Sequence, residues 1–443
     1  MQAIEELVAT LSGIVWGPIM LTLLVGTGLY LSILLKGMQF RVLPHAIRLI
    51  FSSNKDDEGD ISQFAALMTA LAATVGIGNI VGVATAITFG GPGAVFWMWI
   101  TGLVGMATKY SEAVLAVKYR EKGEHGMRGG PMYYLSKGAG LPWLGTLFAI
   151  FTACAAFGIG NMTQSNATAK IFETTFQIPT EITGVVLTLL TGLVILGGIK
   201  AIGKFTSVLV PLMIVCYVGC SLWVLALHIN EIPAAFGLIF HHAFNPSAAS
   251  GGFIGATIAA AMRYGIARGV FSNESGLGSA PIAAAAARTN DPVKQALVSM
   301  TQTFIDTLLV CTMTALVILT ASSWTQGVSA GELTSASIAE TLGVPGSIFV
   351  AVATAFFAFS TLIGWSYYGE KSIEFLFGGK AIKVYRVFFT AAVMVGAITS
   401  LEFVWHFSDL MNGLMAIPNL IGLLLLSKII KQETDRYFTG LKK

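Results

Sequence analysis

The chain has 443 residues, 55% of them apolar and 11% charged, with 26 lysines and arginines against 23 aspartates and glutamates for a net charge of +3. Its mean hydropathy of +0.75 is too high for a water-soluble domain of this length, so the solvent for most of the surface is lipid. The small net charge identifies no partner, because lysine and arginine in a membrane protein are informative by location rather than by sum; no nucleic-acid partner is expected.

Apolar stretches long enough to cross about 30 Å of hydrocarbon as helix recur eleven times, at about residues 10–35, 62–88, 93–119, 143–172, 181–199, 205–228, 253–287, 296–322, 346–376, 384–400 and 403–428. The first follows Glu5 and Glu6 rather than basic residues and exceeds a signal-peptide core, so it is expected to be a retained helix. Lysine and arginine gather in the segments after helices 1, 3, 5, 7, 9 and 11, while the loops 89–92, 173–180, 229–252, 323–345 and 401–402 hold none. The positive-inside rule then puts the N-terminus outside and the C-terminus in the cytoplasm. The charged tract 54–60 reads as a solvated linker, 229–252 as an outer loop whose His241 and His242 are polar surface, and 429–443 as a basic tail on the lipid surface. Cys154, Cys216, Cys220 and Cys311 all fall in apolar segments, and neither a disulfide framework nor a zinc site follows from their spacing.

Setting aside residues 1–61, the remaining spans divide into 62–228 and 253–428, five helices each. Five is odd, so the halves insert with opposite orientation, and an inverted repeat predicts matching helices broken near the bilayer midplane. The first helix of the first half carries Thr74-Val75-Gly76-Ile77-Gly78-Asn79, and the first helix of the second carries Arg268-Gly269-Val270-Phe271-Ser272-Asn273-Glu274-Ser275-Gly276-Leu277-Gly278. Both set glycines beside polar side chains in mid-membrane. Unpaired peptide groups there cost several kcal/mol unless protein, ion or water satisfies them. A broken helix offers N–H groups suited to a carboxylate at its new N-terminus and carbonyls suited to a cation at its new C-terminus, an inventory that fits a zwitterion plus an ion.

The motifs TVGIGNIVGVAT (74–85), GGPGAVFW (90–97), KYSEAVLAVKYR (109–120), GGPMYYL (129–135) and GIARGVFSNESGLGSAP (265–281) resemble the alanine or glycine:cation symporter family over nearly the whole chain. That resemblance implies an all-α LeuT-type fold with one extra leading helix, sodium or less often proton as driving ion, and alanine, glycine or a close relative as cargo. No organic cofactor and no metal other than sodium are implied. The Val75-Gly76-Ile77-Gly78-Asn79 segment is also similar to the helix break of neurotransmitter:sodium symporters. By that similarity the carbonyls of Ala72 and Val75 with the hydroxyls of Ser360 and Thr361 make one sodium site, and Thr74 and Asn79 contribute to a second. Sodium is a hard cation that prefers oxygen ligands. The competing reading of Ser360 and Thr361 is bonding back to the preceding helical turn.

For the substrate, backbone at Gly76 and Gly78 suits the carboxylate, and Gln164 with Asn273 suits the polar end, since an amide both donates and accepts. Phe271 and Trp365 lie where rings would limit the pocket to small side chains. Arg263, Arg268, Glu274 and Asp306 are ionisable groups within spans, where such groups are costly and face a cavity or each other; gating or ion coupling is the expected role. Asp306, on the next helix, is placed to pair with either arginine, while Glu274 belongs either with them or to the unwound segment. No Walker lysine motif, His-Glu-x-x-His pattern or nucleophile elbow occurs, which argues against an enzyme. A channel would need a filter or charged ring, and a receptor signalling through its tail would have few residues after 428 to use.

Overall fold

The computed structural model describes residues 2–52, 57–124, 126–245, 257–399 and 401–440. Among the described residues the regular structure is helical apart from one hairpin, Glu121–Gly123 paired with Gly126–Arg128, and an isolated bridge between Ile61 and Ala287. Among the same residues six helices are long and apolar enough to cross a membrane, and two bent pairs, each taken as one span, bring the number to eight. The surface is inside-out relative to a soluble protein: Ile19, Leu193, Val208 and Val387 are 86%, 73%, 70% and 69% exposed, while Glu112, Glu274 and Asp306 are fully buried. The chain is a multi-pass membrane protein.

The leading helix runs Gln2–Val15 and Pro18–Leu34, bent by 44° at Trp16-Gly17. The first broken helix is Gln63–Thr74 followed by Val81–Gly90, and the second is Ile258–Asn273 followed by Ala280–Ala285. Around them stand Ala94–Lys118, Pro142–Phe176, Thr180–Ile195, Gly198–Leu227, Pro292–Thr320, the long helix Val344–Phe377, Ala381–Ile398 and Leu401–Leu425. Thr180–Ile195 has 16 residues and Ala94–Lys118 carries Lys109, Glu112 and Lys118, so neither is among the six, and eleven crossings are not defined by length and composition alone.

Two segments outside the expected spans hold helices. The 229–252 region holds an apolar helix, Ile232–Phe244, bearing His241 and His242; residues 246–252 lie outside the described residues. The tail forms the helix Ser427–Gly440, whose Ile430 and Tyr437 are buried and whose Thr434 hydroxyl lies 2.7 Å from that of Tyr110. It docks on protein because its apolar stripe has a partner there. Of the 54–60 linker, residues 54–56 lie outside the described set, whereas Asp60 and Ile61 donate to Ala286 O and Arg288 and Thr289 donate to Ile61 O and Glu58 O.

Candidate functional site

Each helix break satisfies its freed peptide groups with side chains, which is what makes it tolerable in hydrocarbon. In the first, the Asn79 side chain reaches back so that Oδ1 accepts the Gly76 N–H at 3.0 Å, and Gln164 Oε1 accepts the Ile77 N–H at 3.3 Å. In the second, Asn273 Oδ1 accepts the Ser275 N–H at 2.9 Å, and Glu112 Oε1 accepts the N–H groups of Gly276 and Gly278 at 3.1 and 3.2 Å. Gly276 and Gly278 have φ of +90° and +83°, a region where a side chain is strained. The Lys109 ammonium donates to the Glu274 carbonyl at 3.0 Å, and Asn419 Nδ2 donates to the Gly276 carbonyl at 2.9 Å and to Glu112 Oε1 at 2.7 Å.

The oxygens named for the first sodium site converge. Thr361 Oγ1 lies 3.0 Å from Ala72 O, and Ser360 Oγ lies 3.3 Å from Ala72 O and 3.5 Å from Val75 O. Both hydroxyls also reach Phe357 O, at 2.8 Å from Ser360 and 3.0 Å from Thr361. Back-bonding and ion binding are therefore compatible: with the protons turned to Phe357, lone pairs are left facing the two break carbonyls. A cation of calcium's size coordinates oxygen at about 2.3–2.6 Å and sets adjacent ligand oxygens roughly 3.3 Å apart, close to these separations.

The Thr74 and Asn79 side chains, expected to contribute to a second sodium site, take different partners. The Thr74 hydroxyl bonds within its helix and accepts from Gln302 Nε2 at 3.3 Å, whereas Asn79 Nδ2 donates to Asp306 Oδ1 at 2.8 Å. Gln302 and Asp306 belong to one helix, and the π-helical stretch Phe304–Cys311 turns Asp306 into the break. Asp306 pairs with neither arginine. Its carboxylate accepts from Asn79, from Ser272 Oγ at 2.9 Å and from Thr307 Oγ1 at 2.7 Å, with Cys311 Sγ 3.3 Å from both Ser272 Oγ and Asn79 Nδ2.

Arg268 instead forms an ion pair with Asp409, and its guanidinium lies 5.3 Å over the Phe271 ring and 5.0 Å over the Trp405 ring, which stack on each other at 4.9 Å. Its Nε and Nη1 have no hydrogen-bond partner among the described residues. Arg263 is exposed and lies 5.8 Å over the Tyr264 ring, outside this cluster. Glu274 is in the unwound segment: Oε1 accepts the Trp365 indole N–H at 2.7 Å and Oε2 accepts the Ser279 hydroxyl at 2.6 Å. Asn273 faces Thr307, donating at 3.1 Å. A Cβ on Gly76 would meet Thr361 Oγ1 at 2.4 Å and Gln164 Oε1 at 3.1 Å, and one on Gly78 would meet Ser272 Cα at 3.1 Å and Phe271 Cδ1 at 3.3 Å. The core of the site thus joins Gly76, Gly78, Gln164, Phe271, Ser360 and Thr361, each 3% exposed or less where a side chain exists.

Sequence reasoning did not single out Lys109, Glu112, Ser272, Gln302, Asp409 or Asn419. Lys109 and Glu112, three residues apart within an apolar span, carried the same signal that picked out Arg268 and Asp306. Arg120 was missed as well: its Nη1 donates to Ala285 O and Ala287 O at 2.9 and 2.7 Å, and its Nη2 to Glu58 O and Thr289 O at 2.9 and 2.6 Å, tying the ends of both broken helices together.

Two broken helices, each break lined by buried polar groups, define a secondary transporter of the LeuT type. The structure of MhsT in complex with L-phenylalanine shares the fold, with a TM-score of 0.57 at 14% identity over 83% of this chain and 89% of that one. The chain belongs to the sodium:alanine symporter family, whose model matches residues 1–443. Its relatives include the sodium/alanine symporter AgcS of Methanococcus maripaludis, 54% identical over 98% of this chain and 97% of that protein. A transporter of Haemophilus influenzae is 50% identical over 99% and 97%.

Proposed function

We propose that the protein carries alanine, and glycine with it, together with sodium into the cell by alternating access across the plasma membrane of a bacterium or archaeon, its N-terminus outside. The observation that carries this reading is the convergence of Ala72 O, Val75 O, Ser360 Oγ and Thr361 Oγ1 beside Gly76. A sodium ion held there ties the first broken helix to the long helix, and the substrate carboxylate takes backbone at Gly76 and Gly78 with Gln164 beside it. Phe271 and Trp365 hold the site to a small side chain. Asn79, Ser272 and Asp306 form an anionic pocket on the opposite side of the break, and Asp306 couples the ion to the substrate. Residues 62–228 and 253–428 act as the inverted halves.

Two closures bound the site. At the outer end Arg268 and Asp409 close over Phe271 and Trp405; at the basic end Arg120 and the pairing of Ile61 with residues 286–288 hold the broken helices shut. Transport requires each to open in turn. The test is radiolabelled L-alanine uptake into proteoliposomes under an inward sodium gradient, with equal potassium and proton gradients as comparisons. Saturable uptake driven by sodium alone and competed by glycine supports the reading; uptake driven equally by potassium, or none at all, sinks it.

A further inference from the structure

The leading helix lies outside the inverted halves, yet one face of it touches both moving parts of the site. Trp16, Met20, Leu24 and Leu31 recur at helical spacing and are 4%, 4%, 5% and 0% exposed. At the bend, Trp16 Nε1 donates to the main-chain carbonyl of Asp409 at 2.7 Å, the residue whose carboxylate pairs with Arg268. One turn further along Leu401–Leu425, a Cβ on Gly413 would meet Val15 Cγ1 at 2.2 Å, so the bend is keyed into the gate helix at that level. Two turns below Trp16, Leu24 Cδ2 lies 2.9 Å from where a Cβ on Gly276 would stand, against the unwound segment of the second broken helix.

The gate helix needs such support. Pro418 lies inside it, two turns past Asp409 and directly before Asn419, which holds Gly276 O and Glu112. A proline there removes a backbone hydrogen bond and weakens the helix as a lever. The leading helix contacts the gate helix before that weak point, at Asp409 and Gly413, and the unwound segment that Asn419 holds beyond it, at Gly276.

We infer that the leading helix is a splint for the outer gate, and that Trp16 is a positioning residue that holds Asp409 in register for Arg268. The inference rests on the gating role proposed for the Arg268–Asp409 pair. Losing the indole N–H lets the outer turn of the gate helix shift, so the outer closure opens more often while the sodium oxygens, on other helices, stay in place.

Cys311 supplies the reporter: it is 3% exposed and lies 3.3 Å from the Ser272 hydroxyl within the site. With Cys154, Cys216 and Cys220 replaced by alanine, labelling of Cys311 by a membrane-impermeant thiol reagent from outside is compared in the parent, Trp16→Phe and Asp409→Asn, alongside the KM for alanine and half-saturation by sodium. Trp16→Phe is expected to raise the labelling rate and the alanine KM by about fivefold, the worth of one hydrogen bond, with sodium half-saturation unchanged. Met20→Leu, a packing change on the same face, is expected to move neither. Asp409→Asn is expected to match Trp16→Phe, and the double variant to add nothing further. If Asp409→Asn speeds labelling and Trp16→Phe does not, the splint is overturned while the gate stands. If neither does, the gate reading fails and takes the splint with it. A fall in Vmax and thermal stability alone in Trp16→Phe, with KM and labelling unmoved, marks ordinary packing and also overturns it.

Discussion

A Cβ placed on Gly76 would lie 2.4 Å from the Thr361 hydroxyl oxygen, so the first helix break and the long helix meet with no room for a single methyl group. This contact sets the oxygens proposed for the ion and the backbone proposed for the substrate against each other at one point, which is the geometry coupling requires. Gly76→Ala must push the break away from Thr361. Overpacking of this kind costs about 1–3 kcal/mol, and sodium-driven alanine uptake is expected to fall about tenfold or more. Uptake per folded transporter, with folding judged by size-exclusion profile, checks it; near-normal uptake would show that the break is not held where it stands.

Thr361 distinguishes ion binding from packing. Thr361→Ser keeps the oxygen and Thr361→Val keeps the shape, so the two separate the contributions. An interaction with a charged group is worth about 1.5–3 kcal/mol, and the valine variant is expected to raise sodium half-saturation roughly tenfold or more, with the serine variant close to the parent. The measurement is alanine uptake as a function of sodium concentration. Equal behaviour of the two variants would remove Thr361 from the ion site.

Lys109 and Glu112 lie 3.8 Å apart and are 1% and 0% exposed, at the point where Ala94–Lys118 holds the second break. Removing one member of a buried pair leaves the other uncompensated, at a cost of about 3–5 kcal/mol. Lys109→Met is therefore expected to lower the unfolding temperature in detergent strongly, and Lys109→Met with Glu112→Gln to recover much of the loss. Additive single and double effects would show that the two charges do not compensate each other.

How far the sequence disclosed this site depends on the kind of interaction. The breaks were legible because glycine beside asparagine or serine inside an apolar span has few other uses, and the Ala72, Val75, Ser360 and Thr361 set followed from resemblance to a known break. Partners were not legible where several geometries satisfied the same charge. Asp306 is one helix away from Arg268 in sequence order, but the π-helical stretch turns it toward Asn79 and Ser272, and the arginine goes to Asp409 141 residues along the chain. Lys109 and Glu112 bond mainly to peptide groups of the second break, and no composition rule anticipates a carboxylate whose partners are glycine N–H groups. The docking of the tail was not legible because a basic amphipathic segment suits lipid and protein alike until Tyr110 and His45 are seen facing it.

The last expectation concerns the basic end. The planar guanidinium of Arg120 donates to four carbonyls, Ala285 and Ala287 through one nitrogen and Glu58 and Thr289 through the other. A lysine ammonium has three donors on a single nitrogen and cannot reproduce that fork. Arg120→Lys therefore frees at least one end of the clip, while the Ile61 carbonyl still accepts from Arg288 at 2.7 Å. Opening of the basic end becomes easier by about 1.5–3 kcal/mol, the worth of one hydrogen bond to a charged group. Amide exchange at Ile61, Arg288 and Thr289 is expected to speed up tenfold or more, whereas amides of the Ser360 turn in the long helix, held by unbroken helix, keep their protection. Exchange that accelerates equally in both regions would mean that the variant loosens the whole bundle, and unchanged exchange would mean that the paired backbone holds this closure without Arg120.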